Sequence, residues 1–184
     1  FKFLKMYYSE MDSFQKRIYN EYLDTLDDDK DVQMMDQRVG AQISNIVYPS
    51  VDALNNNEDI DSKMYGKGGF KNIMKIKIKN KKPSIGYTRE YKQKIKEPIF
   101  DLKNVGSIST KIQTILNGIQ ENKSKGIIFI YSEFLSSGLI PLALTLEHMG
   151  FSKYSGNILD YPEWSKDKKE SDLTKNEPID FEWN

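Results

Sequence analysis

The chain has 184 residues, with 27 lysines and arginines, 27 aspartates and glutamates, and no cysteine. This length suffices for one domain with a real core, or for one domain plus an insertion. The balanced charge selects neither nucleic acid nor a membrane surface as a partner, and the missing cysteines exclude a disulfide scaffold and thiolate metal sites. Because no apolar run approaches membrane-spanning length and no signal-peptide pattern is present, we expect no membrane partner.

Two amphipathic helices are predicted near the start of the chain, after a strand over Phe1–Tyr8 whose alternation is imperfect. Asp12 and Ser13 are residue types that cap helices. The apolar residues after them recur at helical spacing and predict one helix face, formed by Phe14, Ile18, Tyr22 and Leu26. A second helix over Val32–Val47 ends before Pro49, because a residue that precedes proline disfavours helical geometry.

The middle of the chain, residues 55–97, is predicted to be an insertion or linker that is partly disordered. Its glycine cluster Gly66–Gly69 indicates a flexible turn, because a phosphate cradle needs its glycines between a strand and a helix. The run Lys75–Lys82 is basic and alternates with isoleucine. It is either a solvated edge strand protected by lysine or a contact with the phosphates of a nucleic acid, and the sequence leaves both interpretations open.

A strand, a loop and a helix follow one another in the second half, and the rest of the chain is organised around them. The apolar run Ile127–Tyr131 is too short for a helix and does not alternate, which is typical of a parallel strand covered on both faces. Ser109 caps a helix before this strand, and Gly150 suits the left-handed end of the helix after it. We therefore predict an α/β fold, with a parallel sheet flanked by helices over 98–159 and an exposed charged tail over 160–184.

The loop after that strand, Ser132–Gly138, is the best candidate for a binding site. Open α/β sheets bind ligands at the carboxyl ends of their strands, and serine hydroxyls in front of a helix N-terminus suit a phosphate oxygen. The alternative is an ordinary turn in which Ser136 or Ser137 only caps the helix. The single histidine, His148, is interpreted as structural, and no acid–base pair or metal-ligand spacing stands out. We expect no metal or cofactor in this chain.

This strand and helix resemble the second RecA-like domain of superfamily 2 helicases, in particular the Swi/Snf-like helicases of nucleocytoplasmic large DNA viruses. The resemblance is carried by a motif IV stretch and agrees with three other segments. The motif IV stretch comprises Lys125–Ser132, Ser137–Leu144 and Leu146–Phe151, and the other segments are Tyr8–Tyr19, Asn45–Ser50 and Ser109–Ile112. The resemblance implies a partial RecA-like domain, which the chain enters through the helical segment 1–54 and into which the flexible region 55–97 is inserted.

The resemblance also implies that this chain is a fragment of an ATP-dependent helicase or translocase. ATP and Mg²⁺ are expected between the two RecA-like domains of the parent, but the phosphate loop, the acidic magnesium motif and the later arginine motif are missing here. We therefore expect no catalytic residue and no activity of the chain alone. The expected partners are a DNA or RNA backbone, the first RecA-like domain of the parent and the transcription machinery. A viral origin implies the host cytoplasm and the virion.

The predicted backbone contacts combine the motif IV position with the basic run. They are Tyr131, Ser132, Ser136, Ser137, Lys75, Lys77 and Lys79. Because phosphate contacts position a protein without reading sequence, we expect no base preference. A second hypothesis is a non-enzymatic RecA-like interaction module that docks a transcription or replication partner. A third, a small-molecule-binding α/β domain, has less support because polar groups converge at one loop only.

Overall fold

The fold is taken from a computed structural model. The residues that it describes are 6–26, 34–50, 64–79, 82–94, 97–122, 126–152 and 158.

Six α-helices and one hairpin make up the regular structure of these residues. In chain order they are α1 (Ser13–Asp24), α2 (Met34–Asn45), α3 (Gly66–Ile73), β1 (Met74–Lys79), β2 (Lys82–Tyr87), α4 (Arg89–Lys94), α5 (Thr110–Asn122) and α6 (Ile140–His148). A short 3₁₀ turn over Val105–Ser107 precedes α5, and a π-helical turn over Leu135–Leu139 leads into α6. The described residues therefore mix helix and strand, as the sequence predicts.

The helix boundaries follow the capping residues in the sequence. The Asp12 carboxylate accepts a hydrogen bond from the N–H of Phe14 at 3.1 Å and so caps α1. The Ser109 hydroxyl accepts from the N–H of Ile112 at 3.0 Å and donates to the carbonyl of Asn45 at 2.5 Å. Gly150 has a φ of 95° just after α6, a conformation that favours glycine. Caps of this kind satisfy backbone groups locally, so the sequence alone places these helix ends.

The sheet differs from the expected one. Within the described ranges the sheet has two antiparallel strands, in which Met74 pairs with Tyr87 and Ile76 with Ile85. The N–H of Ile85 also donates to the carbonyl of Ile158 at 2.7 Å. The predicted parallel sheet is not present among these residues. An antiparallel hairpin needs only a short connection, whereas a parallel pair needs a long crossover between strands that are distant in sequence.

The predicted central strand over Ile127–Tyr131 has no strand assignment, and its backbone is not paired with any described residue. Most of its side chains are exposed: Ile127 is 87% exposed, Phe129 88% and Tyr131 80%. Ile130 is half-buried and packs against the main core. We call this segment, together with Gly126, the apolar run. The prediction of a strand covered on both faces is not met in the described part of the chain, where Ile130 reaches the core and the other side chains of the run are exposed.

Residues 64–94, which the sequence assigns to an insertion or linker, form α3, the hairpin and α4. We call these residues the basic unit. Phe70, Ile73 and Tyr91 of this unit are buried in the main hydrophobic core. Lysines separate these apolar residues along the chain, so the segment looks polar, but helical and strand periodicity directs the apolar side chains to one side.

The glycine cluster at the start of this unit is helical and does not form the expected flexible turn. Gly66 has a φ of 59° and opens α3. A Cβ at Gly69 would lie 2.6 Å from a ring carbon of Tyr48 and 2.7 Å from the backbone carbon of Met64. Glycine is therefore required at position 69 because the backbone of α3 lies directly against Tyr48.

Two clusters of buried side chains form the core. In the main cluster the ring of Tyr87 stacks on Tyr91 at 5.0 Å and on Phe100 at 6.1 Å, and Tyr48 meets Phe70 edge-on at 6.1 Å. A smaller cluster joins α1 to α2 and to the start of the basic unit through Ile18, Tyr22, Ile43, Val47 and Met64.

Some predictions fall outside the described residues. These concern the first part of the Phe1–Tyr8 strand, the start of the second helix, the polar stretch before Met64 and the tail over 160–184.

Candidate nucleic-acid interface

The predicted loop Ser132–Gly138, which we call the serine loop, starts with Ser132. The hydroxyl of Ser132 forms hydrogen bonds within the loop. It accepts from the N–H of Phe134 and donates to the carbonyl of the same residue, both at 3.2 Å. A Cβ at Gly138 would collide with the Ser132 side chain, so glycine is needed there to let the turn close. Ser132 therefore shapes the loop in this conformation.

The middle of the loop is anchored to the helices beneath it. Ser137 is buried and its hydroxyl donates to the Gln42 side-chain oxygen of α2 at 3.5 Å. The backbone carbonyl of Ser136 accepts a hydrogen bond from the Tyr48 hydroxyl. Ser136 itself is half-buried. These two hydrogen bonds attach the part of the loop that contains Ser136 and Ser137, both predicted site residues, to α2 and to the segment after α2.

The outer side of the loop carries an ion pair with α2. Arg38 lies 3.2 Å from the Glu133 carboxylate and 5.4 Å from the centre of the Phe134 ring. Both charged side chains are more than half exposed, so the pair contributes little to stability on its own. Arg38 is nevertheless a cation beside the loop that could contact a phosphate. The sequence missed it because α2 lies far from the loop along the chain.

The predicted lysines lie on β1, in the basic unit. Lys75 and Lys77 are exposed, and the side chain of Lys79 is outside the described part of the structure. Lys75 and Lys77 lie on β1, whereas the loop lies against α2 and α3. The structure therefore presents two separate groups of predicted site residues.

Charge is strongly segregated between the basic unit and the rest of the chain. Residues 64–94 contain ten lysines and arginines and one acidic residue, Glu90, which gives a formal charge of +9. Since the whole chain is neutral, the remaining residues carry −9. Lys67, Lys71 and Arg89 are exposed with Lys75 and Lys77. Counting charge by segment would have found these additional cations in the sequence.

An apolar groove lies beside α5. Its volume is about 420 Å³, and it is bounded by Tyr7, by the apolar run and by one face of α5. The residues that line it carry no lysine, arginine, aspartate or glutamate. They are Tyr7, Thr114, Ile115, Gly118, Ile119, Asn122, Ile128, Phe129, Ile130 and Tyr131.

Burial shifts the pKa of several side chains. It raises the pKa of the hydroxyls of Tyr48, Tyr87 and Tyr91, which keeps all three neutral. Burial also lowers the pKa of Lys111, whose Nζ donates to the Asn45 side-chain oxygen at 2.8 Å. Among the described residues, none of these shifts belongs to a side chain of the loop Ser132–Gly138.

His148 ends α6 beside a cavity of about 250 Å³ whose wall also includes Asp101. Burial lowers the pKa of its imidazole, and the Asp101 carboxylate opposes this in part. A lowered pKa favours the neutral form of this half-buried histidine near pH 7.

The described residues contain no group of three histidine, cysteine or acidic side chains that could hold a metal ion. No helix in the described ranges has the length and apolar character needed to cross a membrane.

Comparisons with protein-family models, with curated proteins and with solved structures gave no match.

Proposed function

We propose that this chain is a segment of an ATP-dependent nucleic-acid helicase or translocase and that it contributes contacts to the nucleic-acid backbone. The observation that carries the proposal is the basic unit, a folded element with a formal charge of +9 in a neutral chain. Exposed lysines on such an element release counterions when they neutralise phosphates. The resemblance of the motif IV stretch to superfamily 2 helicases supports the same class of protein.

Lysines carry most of the proposed binding. The hydroxyls of Ser132 and Ser137 are engaged within the fold, so they position the loop. Tyr131 and Ser136 remain available at the loop, and Arg38 supplies a cation next to them. Contacts of this kind with the nucleic-acid backbone give affinity without base preference.

The chain's glycine cluster does not fit the phosphates of ATP. A phosphate loop presents backbone N–H groups in a turn before a helix, followed by Lys-Ser/Thr. Here Gly66–Gly69 lies within α3, and the backbone at Gly69 is in contact with Tyr48. We therefore propose that other parts of the parent protein bind ATP and Mg²⁺. The first RecA-like domain of the parent would close onto this segment.

The test is the salt dependence of binding to a labelled single-stranded oligonucleotide without secondary structure. We expect log K to fall linearly with log salt, and the double variant Lys75→Gln/Lys77→Gln to bind more weakly. Each lost phosphate contact should reduce the slope by about 0.7. The matched control is Lys16→Gln/Lys103→Gln, which removes two exposed lysines outside the basic unit. An unchanged slope in the first variant, or an equal loss in both, contradicts the proposal.

A second candidate function is an interaction module without enzymatic activity. The exposed apolar run favours it, because soluble chains seldom expose a continuous apolar segment that has no partner. Salt separates the two functions. Backbone binding weakens steeply as salt rises, whereas an apolar docking surface responds little.

A further inference from the structure

The serine loop carries one charged side chain, and that side chain is an acid, Glu133. A carboxylate repels a phosphate, so Glu133 is unfavourable at a loop that contacts a nucleic-acid backbone. In the structure its Oε1 lies 3.2 Å from the Nη1 of Arg38 on α2. A guanidinium binds carboxylate and phosphate oxygens with the same fork of N–H donors. Glu133 therefore occupies on Arg38 the kind of position that a phosphate takes.

The guanidinium of Arg38 has a second support, the ring of Phe134, whose centre is 5.4 Å from it. Stacking of a cation on an aromatic face fixes the position of the cation independently of the acid. The side chain of Arg38 is 55% exposed and that of Glu133 is 60% exposed. Exposed ion pairs are cheap to separate. A phosphate can thus replace Glu133 on Arg38 without a rearrangement of the core.

The basic unit begins close to this ion pair. Gln42 lies one turn after Arg38 on α2, and its side-chain oxygen accepts a hydrogen bond from the Ser137 hydroxyl at 3.5 Å. The same oxygen lies 2.5 Å from the position of a Cβ at Gly66, the first residue of α3. Lys67, which follows, is exposed. One helical turn therefore separates Arg38 from the point where α2, the serine loop and the basic unit meet.

We propose that Arg38 binds a backbone phosphate in exchange for Glu133, so that Glu133 is an internal competitor of the nucleic acid. This inference rests on the proposed nucleic-acid binding and adds a residue that limits its affinity. The exchange transfers an ion pair and breaks no covalent bond. Because the carboxylate stays tethered beside Arg38, it also shortens the lifetime of the phosphate contact, as stepping along a strand requires.

The first test is the affinity of the whole chain for the labelled single-stranded oligonucleotide at about 0.15 M salt, where distant charges are screened. Glu133→Gln should tighten binding about two- to fivefold, the range of one exposed ion pair. Arg38→Gln should weaken binding and reduce the salt slope by about 0.7. In the double variant, Glu133→Gln should give no gain over Arg38→Gln, because the competitor acts through Arg38. An equal gain in both backgrounds overturns the proposal.

An ion pair of the same composition on α1 supplies the matched control. Arg17 lies 3.3 Å from the Glu21 carboxylate and 5.7 Å from the centre of the Phe14 ring. Glu21→Gln changes the net charge as Glu133→Gln does, but outside the serine loop, and should leave the affinity unchanged. Equal tightening in Glu21→Gln and Glu133→Gln would mean that net charge alone acts, and overturns the proposal.

The second test observes the guanidinium directly by NMR of the arginine Nε–H groups. The chain has three arginines, Arg17, Arg38 and Arg89, so each signal is assigned by its loss in the corresponding glutamine variant. Addition of the oligonucleotide should shift the Arg38 signal and leave that of Arg17 in place. An Arg38 signal that does not move while the oligonucleotide binds overturns the proposal.

Failure of this inference is distinguishable from failure of the proposed function. Absence of any oligonucleotide binding overturns both. Binding that Lys75→Gln/Lys77→Gln weakens and Glu133→Gln does not strengthen supports the basic unit as the binding surface and overturns only the exchange at Arg38.

Discussion

The basic unit and the apolar run are buried in the opposite order from the one that their amino-acid composition suggests. The basic unit looks like a solvated linker, yet its hairpin and helices bury Phe70, Ile73 and Tyr91. The apolar run looks like the centre of a core, yet Phe129 is among the most exposed large side chains described. Composition alone would rank the two segments in the opposite order of burial.

The difference follows from where each segment finds its partners. The strands of the hairpin are adjacent in sequence, so each finds its pairing partner within the basic unit. The apolar run can pair only with strands that are distant in sequence or belong to another chain. The apolar character of a segment therefore predicts that it should be buried. Whether other segments pack against it depends on the tertiary or quaternary structure.

The largest expected contrast is in the stability cost of truncating a phenylalanine in each region. Phe70→Ala removes a ring that is 4% exposed and should lower the free energy of unfolding by about 3–5 kcal/mol. Phe129→Ala removes a ring that is mostly in water and should change it by less than about 0.5 kcal/mol. Urea unfolding followed by circular dichroism measures both. A large loss in Phe129→Ala would show that the apolar run is buried in solution.

A second contrast compares two helical glycines. Gly118→Ala should stabilise the chain by about 0.5–1 kcal/mol, because alanine favours the helix and its Cβ meets no neighbour. Gly69→Ala should destabilise it by about 1–3 kcal/mol, because its Cβ would overlap Tyr48 and the backbone of Met64. Thermal unfolding of the two variants gives the signs directly. If both substitutions stabilise, α3 is not packed against Tyr48, and the description of the basic unit as part of the core is wrong.

The smallest expected effect tests whether α6, which starts shortly after the apolar run, belongs to the core. Burial lowers the pKa of His148 in the folded chain below its ordinary value of 6.5, so the unfolded chain takes up a proton first as pH falls. Above pH 6.5 His148 is neutral in both the folded and the unfolded chain. Below pH 6.5 protonation of the unfolded chain lowers the free energy of unfolding. The free energy of unfolding should therefore fall more between pH 7.5 and 5.5 in the unchanged chain than in His148→Gln. Parallel pH profiles for the two proteins would place His148 in solvent.

Several local features were predictable because they depend on neighbours in sequence. The caps at Asp12 and Ser109, the apolar face of α1 and the glycine after α6 all occur where the sequence places them. Each is fixed by hydrogen bonds or side chains within a few residues. The mixed helix and strand content was predictable for the same reason.

The candidate interface was predictable only in part. The serine loop and the lysines of β1 were chosen from the sequence. The hydrogen bonds of Ser132 to Phe134 and the contact between Ser137 and Gln42 arise from the folded loop. The cation at Arg38 comes from a helix that is remote in sequence. Such contacts depend on how α2 meets the loop, which no local pattern encodes.

By itself the sequence determined the start of α1, the start of α5 and the end of α6, that the second half contains an apolar run followed by a helix, and that lysines cluster in one segment. These properties follow from capping chemistry, periodicity and charge, which act over a few residues. Only the tertiary structure decided that the lysine-rich segment joins the core and that the apolar run stays exposed beside a groove. Burial depends on which surfaces meet in space, and the segments that meet here are separated along the chain.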